Sequence, residues 1–325
     1  MDLQWRALTR ADATAMAELN VAVYEAQSSV GEIRAVDEMD RSFDDEWRVA
    51  VPARFGAFAG GRLVAFGVLF ARVAANPDHR MLLWGMVHPE FRRRGVGTEV
   101  VRRGLAAAPD LHARSFPESE GLVVLELADV PGTAELAHAC GFDAGKRSFE
   151  MLRTLPRDPG EFGAWSGALG GELVVGRFDA RYVEELRQVH NDSFIPYQPG
   201  GAPVPAEAWE RRFSQPTFRP DLSFLMLDSG TGEIGGYVLS ACVSERSGHS
   251  GPRHVTLATI TTRHGYRRRG VATALIGAVL SEAVVQGFET AGLDVDTDNP
   301  SGALRVYERA GFTVAYSATS YARAL

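Results

Sequence analysis

Cysteine is nearly absent from this chain. Only Cys140 and Cys242 occur in 325 residues, and neither has a CxxC spacing or a Cys/His neighbourhood. A zinc site of the usual spacing is therefore not indicated. Cys242 lies in a strand-like run without a histidine close in sequence, which argues against a nucleophilic thiol. Long apolar runs are missing too, since none reaches the roughly 18 residues of a membrane span. The N-terminus, MDLQWRALTRADA, lacks the apolar core of a signal peptide. The expectation is a cytoplasmic protein with no membrane partner. A basic excess is also missing: the formal net charge of −7 speaks against nucleic acid as a partner. Hydrophobic content of 45% and charged content of 23% are those of an ordinary globular chain. The length suits two domains of about 150 residues.

What is present is a repeat. Arg92-Arg93-Arg94-Gly95-Val96-Gly97-Thr98 returns as Arg267-Arg268-Arg269-Gly270-Val271-Ala272-Thr273, an offset of 267 − 92 = 175. Each copy follows an apolar strand-like run and opens an amphipathic helix. Glycine lets a backbone approach a phosphate closely, and successive N–H groups in such a turn form an anion nest. The helix N-terminus adds positive potential, and the arginines add charge. The arrangement points to a small phosphate-bearing ligand. A solvated basic helix start is the plainer alternative, but it leaves the duplicated spacing unexplained.

The two halves read alike. In the first, strands are expected at Leu3–Leu8, Arg54–Ala59, Arg62–Phe70, Met81–Val87 and Leu122–Leu127, with helices from Thr9 to about Ala26, at Gly95–Ala108 and at Thr133–Ala139. In the second, strands are expected at Leu173–Val175, Leu222–Leu227, Ile234–Val243, His254–Thr261 and Leu293–Asp296. Its helices are expected at Ala180–Phe194, Gly270–Gln286 and Ser301–Ala310. The Pro/Gly-rich stretch Arg153–Gly171 reads as a linker. The expected division is a domain at 1–153, a linker at 154–171 and a domain at 172–325. Each domain is of mixed α/β class, a central mixed sheet flanked by helices. One chain carrying two domains favours a monomer over a homodimer.

The turn resembles the acyl-CoA-binding motif of the GNAT (GCN5-related N-acetyltransferase) superfamily, and the resemblance spans nearly the whole chain as two tandem domains. It implies acetyl-CoA as co-substrate, with its pyrophosphate on the backbone of Arg92–Thr98 or Arg267–Thr273. It also implies pantetheine beside the preceding strand, at Met86–Val87 or Ile260–Thr262. A backbone N–H near Ile260, Thr261 and Thr262 would polarise the thioester carbonyl. In the second half alone, Leu293–Asn299 followed by Tyr307 and Gly311-Phe312 looks like the family's catalytic segment. The resemblance assigns Asn299 to the cofactor and Tyr307 as the general acid for the departing thiolate. Plainer roles also fit these two residues: a helix cap at Asn299 and a core aromatic at Tyr307. Setting Gly141-Phe142 on Gly311-Phe312 gives an offset of 170, which matches Tyr307 to Ala137 and Asn299 to Asp129. The first domain is therefore expected to be catalytically degenerate.

Among tandem members, the chain resembles the two-domain mycothiol synthases. They carry an acidic residue early in the strand before the motif, where this chain has Arg253-His254. The expected reaction is direct transfer of acetyl to the primary amine of a small molecule within a ternary complex. His254, Asp294 and Asp296 are candidate bases, each with a structural alternative. Helix Ala180–Phe194, the loop Ile195–Pro203, Trp209 and Phe213 are candidates for the acceptor pocket. A non-catalytic acyl-CoA-binding module and a protein N-terminal or lysine acetyltransferase remain as alternatives.

Overall fold

Alternation of side chains decides where each strand puts its core. Phe224 and Met226 point to one face of their strand and Leu225 to the other, and all three are buried. A strand buried on both faces needs helices on both sides, and both halves of the chain supply them. The computed structural model of the chain describes residues 2–27, 52–75, 77–162, 172–195, 203–242, 253–298 and 302–325.

The chain divides into two compact units, one made of Met1–Ser148 with Tyr316–Leu325, the other of Phe149–Ala315. The first unit contains β1 (Gln4–Ala7), α1 (Ala13–Gln27), β2 (Ala53–Ala59), β3 (Arg62–Ala75), β4 (His79–Val87), α2 (Val96–Ser115), β5 (Gly121–Ala128) and α3 (Thr133–Ala139). Its strands run in the order β1-β2-β3-β4-β5. Neighbours are antiparallel except β4 and β5, which are parallel. Helix α1 packs on one face through Met16, Leu19 and Val23, while α2 and α3 cover the other.

β6 (Asp143–Thr154) follows. The second unit then runs β7 (Leu173–Arg177), α4 (Val183–Phe194), α5 (Ala206–Phe213), β8 (Phe224–Asp228), β9 (Ile234–Ala241), β10 (His254–Thr262), α6 (Val271–Val285), β11 (Thr290–Asp296) and α7 (Ala303–Arg309). β12 (Thr313–Ala324) ends the chain. Strands β7 to β10 pair antiparallel in sequence order, and β10 pairs parallel with β11. Helices α4 and α5 lie on one face with Trp209 at the centre of their core; α6 and α7 lie on the other.

The mixed α/β class is as expected, but the division of the chain differs from the expected boundary at 153. The two strands that follow the Gly-Phe pairs change places. Ala318–Ala324 of β12 pairs with Ala128–Leu122 of β5 and so completes the first unit. Phe149–Thr154 of β6 lies beside β11 in the second. Matching arginines mark the exchange at 323 − 153 = 170. Arg323 donates to the Cys140 carbonyl at the end of α3, and Arg153 donates to the Ala310 carbonyl at the end of α7. The exchange also draws part of the expected linker into a core, since Leu155 and Phe162 are buried in the second unit. The remainder of that linker, 163–171, lies outside the described residues.

One helix outruns its expected end. Pro109 removes a helical hydrogen bond, yet α2 continues to Ser115 because Ala108 and Leu111 are fully buried on either side of it.

The exchange makes a prediction. Deleting Tyr316–Leu325 strips β5 of its antiparallel neighbour and removes buried Tyr321 from the first core. Amide hydrogen exchange in β4 and β5 is expected to rise sharply. Truncating only the ring, Tyr321→Ala, is expected to cost about 3 kcal/mol in chemical denaturation.

Candidate functional site

Both Arg-Gly turns have the same backbone. Arg93 and Arg268 sit at φ of 58° and 61°, the two non-glycine residues with positive φ among those described. Such a conformation is costly for a side chain with a Cβ and clusters at functional sites. Gly95 and Gly270 follow at 78° and 80° and cap α2 and α6. A Cβ at Gly95 would meet nothing within 4 Å among the described residues, so the first turn opens onto space there. Alternating left-handed residues converge successive N–H groups, and the helix N-terminus adds to the potential.

The three arginines of each copy do different things. Arg92 Nε donates to the Val87 carbonyl and Arg267 Nε to the Thr262 carbonyl, both at 3.3 Å, tying each turn back to the end of its strand. Arg94 lies over the Phe91 ring and Arg269 over the Tyr266 ring. Arg93 and Arg268 are exposed. The Arg93 guanidinium rests against Gly132 at the start of α3, while a Cβ at the corresponding Gly302 would meet nothing within 4 Å among the described residues. Val96 and Val271 are buried anchors for their helices. Gly97 and Ala272 are half-buried, and Thr98 and Thr273 are exposed in the first turn. Only backbone groups of these four positions and exposed side chains can face a ligand.

The strand before each turn leaves its parallel neighbour early. β4 pairs with β5 from His79 to Leu82 and then runs on to Val87 without it. β10 pairs with β11 from His254 to Thr256 and runs on to Thr262. Beyond the parting point each strand keeps its antiparallel neighbour, β3 or β9, and the edge that faced β5 or β11 has no ladder among the described residues.

The two gaps differ in three ways. First, β10 carries a bulge against β9 between Leu257 and Thr259, whereas β4 is regular against β3 from Val87 to Met81. The extra residue reverses the alternation: Leu257 and Ile260 face the α6 core, and Thr261 faces the α4 side opposite Tyr237. In the first unit Val87 packs toward α2 and Met86 toward α1. Second, Tyr307 on α7 is buried with Val271, Leu293 and Val295, and Ala137 takes its place in the first unit. Burial pushes the Tyr307 phenol up to about 12, so it keeps its proton at neutral pH. Third, Glu99 stands in the first turn of α2, where α6 has Ala274. Its charge is held by hydrogen bonds from Arg102 and ion pairs with Arg102 and Arg103, and it lines a surface cavity with Asp2, Arg94 and Gly95. A carboxylate there opposes an incoming anion.

Asn299 lies outside the described residues, as does most of the loop after α4, 196–202. Its counterpart Asp129 bonds Arg147 and Thr319, each at 2.7 Å, within the first unit. Of the candidate bases, His254 pairs opposite Thr290, at the end of the strand pair away from the gap, and burial pushes it down to about 4. Asp294 and Asp296 are exposed on the face of β11 opposite Leu293 and Val295. Trp209 is fully buried and Phe213 half-buried, so both belong to the α4–α5 core.

The sequence profile of the Acetyltransferase (GNAT) family matches residues 17–119 and 183–312. The chain belongs to the GNAT acetyltransferase family. It is an enzyme of the N-acetyltransferase class. Mycothiol acetyltransferase of Mycobacterium leprae (strain Br4923) is 30% identical over 245 residues, 74% of this chain and 73% of that protein. The Mycobacteroides abscessus mycothiol acetyltransferase is 28% identical over 252 residues, 77% of each chain. The fold matches a GCN5-related N-acetyltransferase from Sphaerobacter thermophilus with a TM-score of 0.76 at 21% identity, over 99% of this chain and 95% of that one. A tandem GNAT protein from the clavulanic acid biosynthesis pathway matches at 0.74 and 15% identity, over 99% and 98%. No helix among the described residues is long and apolar enough to cross a membrane.

Glycine at a left-handed cap has a measurable signature. Gly95→Ala and Gly270→Ala are each expected to cost about 1 kcal/mol or more in denaturant unfolding from the left-handed backbone, and at Gly95 the added methyl meets open space, so the cost there is strain alone. Arg93→Gly and Arg268→Gly are expected to gain a similar amount.

Proposed function

We propose that the chain moves the acetyl group of acetyl-CoA to the primary amine of a small molecule, directly within a ternary complex, at the second unit. The observation that carries this is the bulge at Leu257–Thr259 in β10, placed where the strand parts from β11 and absent from β4. Acetyl-CoA supplies an activated thioester and a pyrophosphate. The residues of the second unit fit both. The Arg268–Gly270 backbone and the α6 N-terminus suit the pyrophosphate, with exposed Arg268 and Arg269 adding charge and no acid in the first turn.

A backbone N–H released near the bulge is suited to donate to the thioester carbonyl oxygen as charge develops there. The irregularity falls just ahead of Ile260–Thr262, the segment assigned by resemblance. Tyr307 holds a proton through the neutral range and serves as acid to the leaving sulfur. Asp294 and Asp296, on the open face of the neighbouring strand, favour a cationic amine as acceptor. The mycothiol acetyltransferases named above make a small amino compound a sensible first class to test. The first unit, with Ala137, a regular β4 and Glu99 at its turn, is read as catalytically degenerate.

Tyr307→Phe is expected to lower kcat by about 100-fold while calorimetry finds acetyl-CoA affinity unchanged. Unchanged turnover would remove Tyr307 from the role. The phenol pKa is raised on folding, so its contribution is complete below the ordinary tyrosine value near 10 and is lost only as pH approaches about 12. No alkaline loss of kcat from this group is therefore expected up to pH of about 10. The acceptor is sought by following thiol release with amino-acid amides, amino sugars, aminoglycosides and peptides. Gly270→Ala is expected to raise the KM for acetyl-CoA and Gly95→Ala to leave it alone; the reverse pattern would move the active site to the first unit.

A further inference from the structure

Three polar side chains on the α4 side of the second sheet have no part in the chemistry above. Tyr237 on β9 is fully buried, and its hydroxyl lies 2.9 Å from His190 Nδ1 on α4. Thr261 stands directly across the β9–β10 pair from Tyr237 and turns its hydroxyl to the same phenol. The His190 ring packs against Phe194 and Trp209, with centroids 4.5 and 4.8 Å away. Burial pushes His190 down to about 4, and nearby Arg212 of α5 adds to the effect, so the imidazole is neutral and can accept at Nδ1. Burial pushes the Tyr237 phenol above its ordinary value, so it keeps a proton to donate.

The first unit provides an internal comparison. Asn20 on α1 corresponds to His190 at 190 − 20 = 170. Phe66 stands opposite Met86 on β3 and β4 in the register that Tyr237 and Thr261 occupy on β9 and β10. The set His190, Tyr237, Thr261 is thus replaced by Asn20, Phe66, Met86, with Asn20 Nδ2 only 3.5 Å from the Met86 sulfur. The same place in the fold is filled without either hydroxyl, so packing does not require them. Buried polar groups cost stability unless satisfied, and here they accompany the bulged strand and Tyr307.

We propose that His190 is a positioning residue for acetyl transfer, anchoring Tyr237 and through it Thr261 and the bulged segment of β10. The inference rests on the reading that transfer occurs at the second unit. Its test uses the full chain with acetyl-CoA and an amino-acid amide as amine probe. His190→Leu and Tyr237→Phe are each expected to lower kcat roughly tenfold, the worth of one hydrogen bond of ordinary strength, with the KM for acetyl-CoA unchanged. Tyr237→Phe copies Phe66 and so preserves packing. The double variant is expected to lose no more than either single one, because the residues act as one chain. His190→Gln, whose amide oxygen can accept from the phenol, is expected to recover most of the loss. Wild-type kcat in both single variants, additive losses, or a glutamine as poor as leucine would each overturn the proposal.

A second readout needs no turnover. Nitrogen NMR of the histidine rings is expected to show one tautomer at His190 in the wild type and a mixture in Tyr237→Phe; an unchanged ring would also overturn it. If the wild type acetylates no probe, the proposed function is what fails, and the ring spectra still decide the anchor.

Discussion

Each unit is organised around a parallel strand pair that is made for a few residues and then abandoned. β10 keeps β11 for only His254–Thr256, and β4 keeps β5 for His79–Leu82. A strand that loses its neighbour leaves N–H and C=O groups that must find other partners. The rest of the frame follows from that. The continuing strand is held on its other side by β9 or β3, and its end is tied by the Arg267 or Arg92 guanidinium to the turn that starts the next helix. The helix N-terminus is thereby fixed beside the gap. Anion-binding potential and backbone released from the parallel ladder arrive at one place because one constraint produces both.

The elements that depend on local chemistry were legible in the sequence. Thr133–Ala139 was readable to the residue, with Gly141 just past its end, and the helices after Gly95 and Gly270 from their apolar periodicity. The strands after Gly141-Phe142 and Gly311-Phe312 were not read. They alternate weakly, with Met151 and Tyr321 as their fully or nearly fully buried members, because each is completed by pairing remote in sequence. The match of Arg153 to Arg323 held the clue to their exchange, but it gains meaning only once the partner carbonyls are seen.

The bulge lies between these cases. The Arg repeat and the strand ends just before it share the offset 175, which places Thr261 with Met86 and Thr262 with Val87. Upstream, the buried residues Leu257 and Val255 correspond to Leu83 and Met81 at an offset of 174. One residue has been gained in between, at Ala258. A single offset across the repeat hides that gain, and a hydrophobic pattern read alone treats the reversed alternation as noise. It is nonetheless this residue that turns Thr261 rather than its neighbour to the α4 side. The candidate site was thus legible where it consists of a turn, and illegible where it consists of strand register and of Asn299 in an undescribed segment.

The survival of the Arg-Gly turn in the first unit does not by itself require a ligand there. The same backbone ties a strand end to a helix start through Arg92 and the Val87 carbonyl, and Gly95 supplies the left-handed cap that α2 needs. Those are structural tasks, and they keep the turn whether or not an anion binds. By contrast, an unbulged strand, a carboxylate in the first helical turn and an alanine in place of a phenol have no structural necessity, since the second unit folds with the opposite choices. Divergence between two copies of one frame therefore separates what the fold needs from what the chemistry needs. On that division the turn belongs mainly to the fold, while Tyr307, the bulge at Ala258 and the polar set reaching to His190 belong to the proposed reaction.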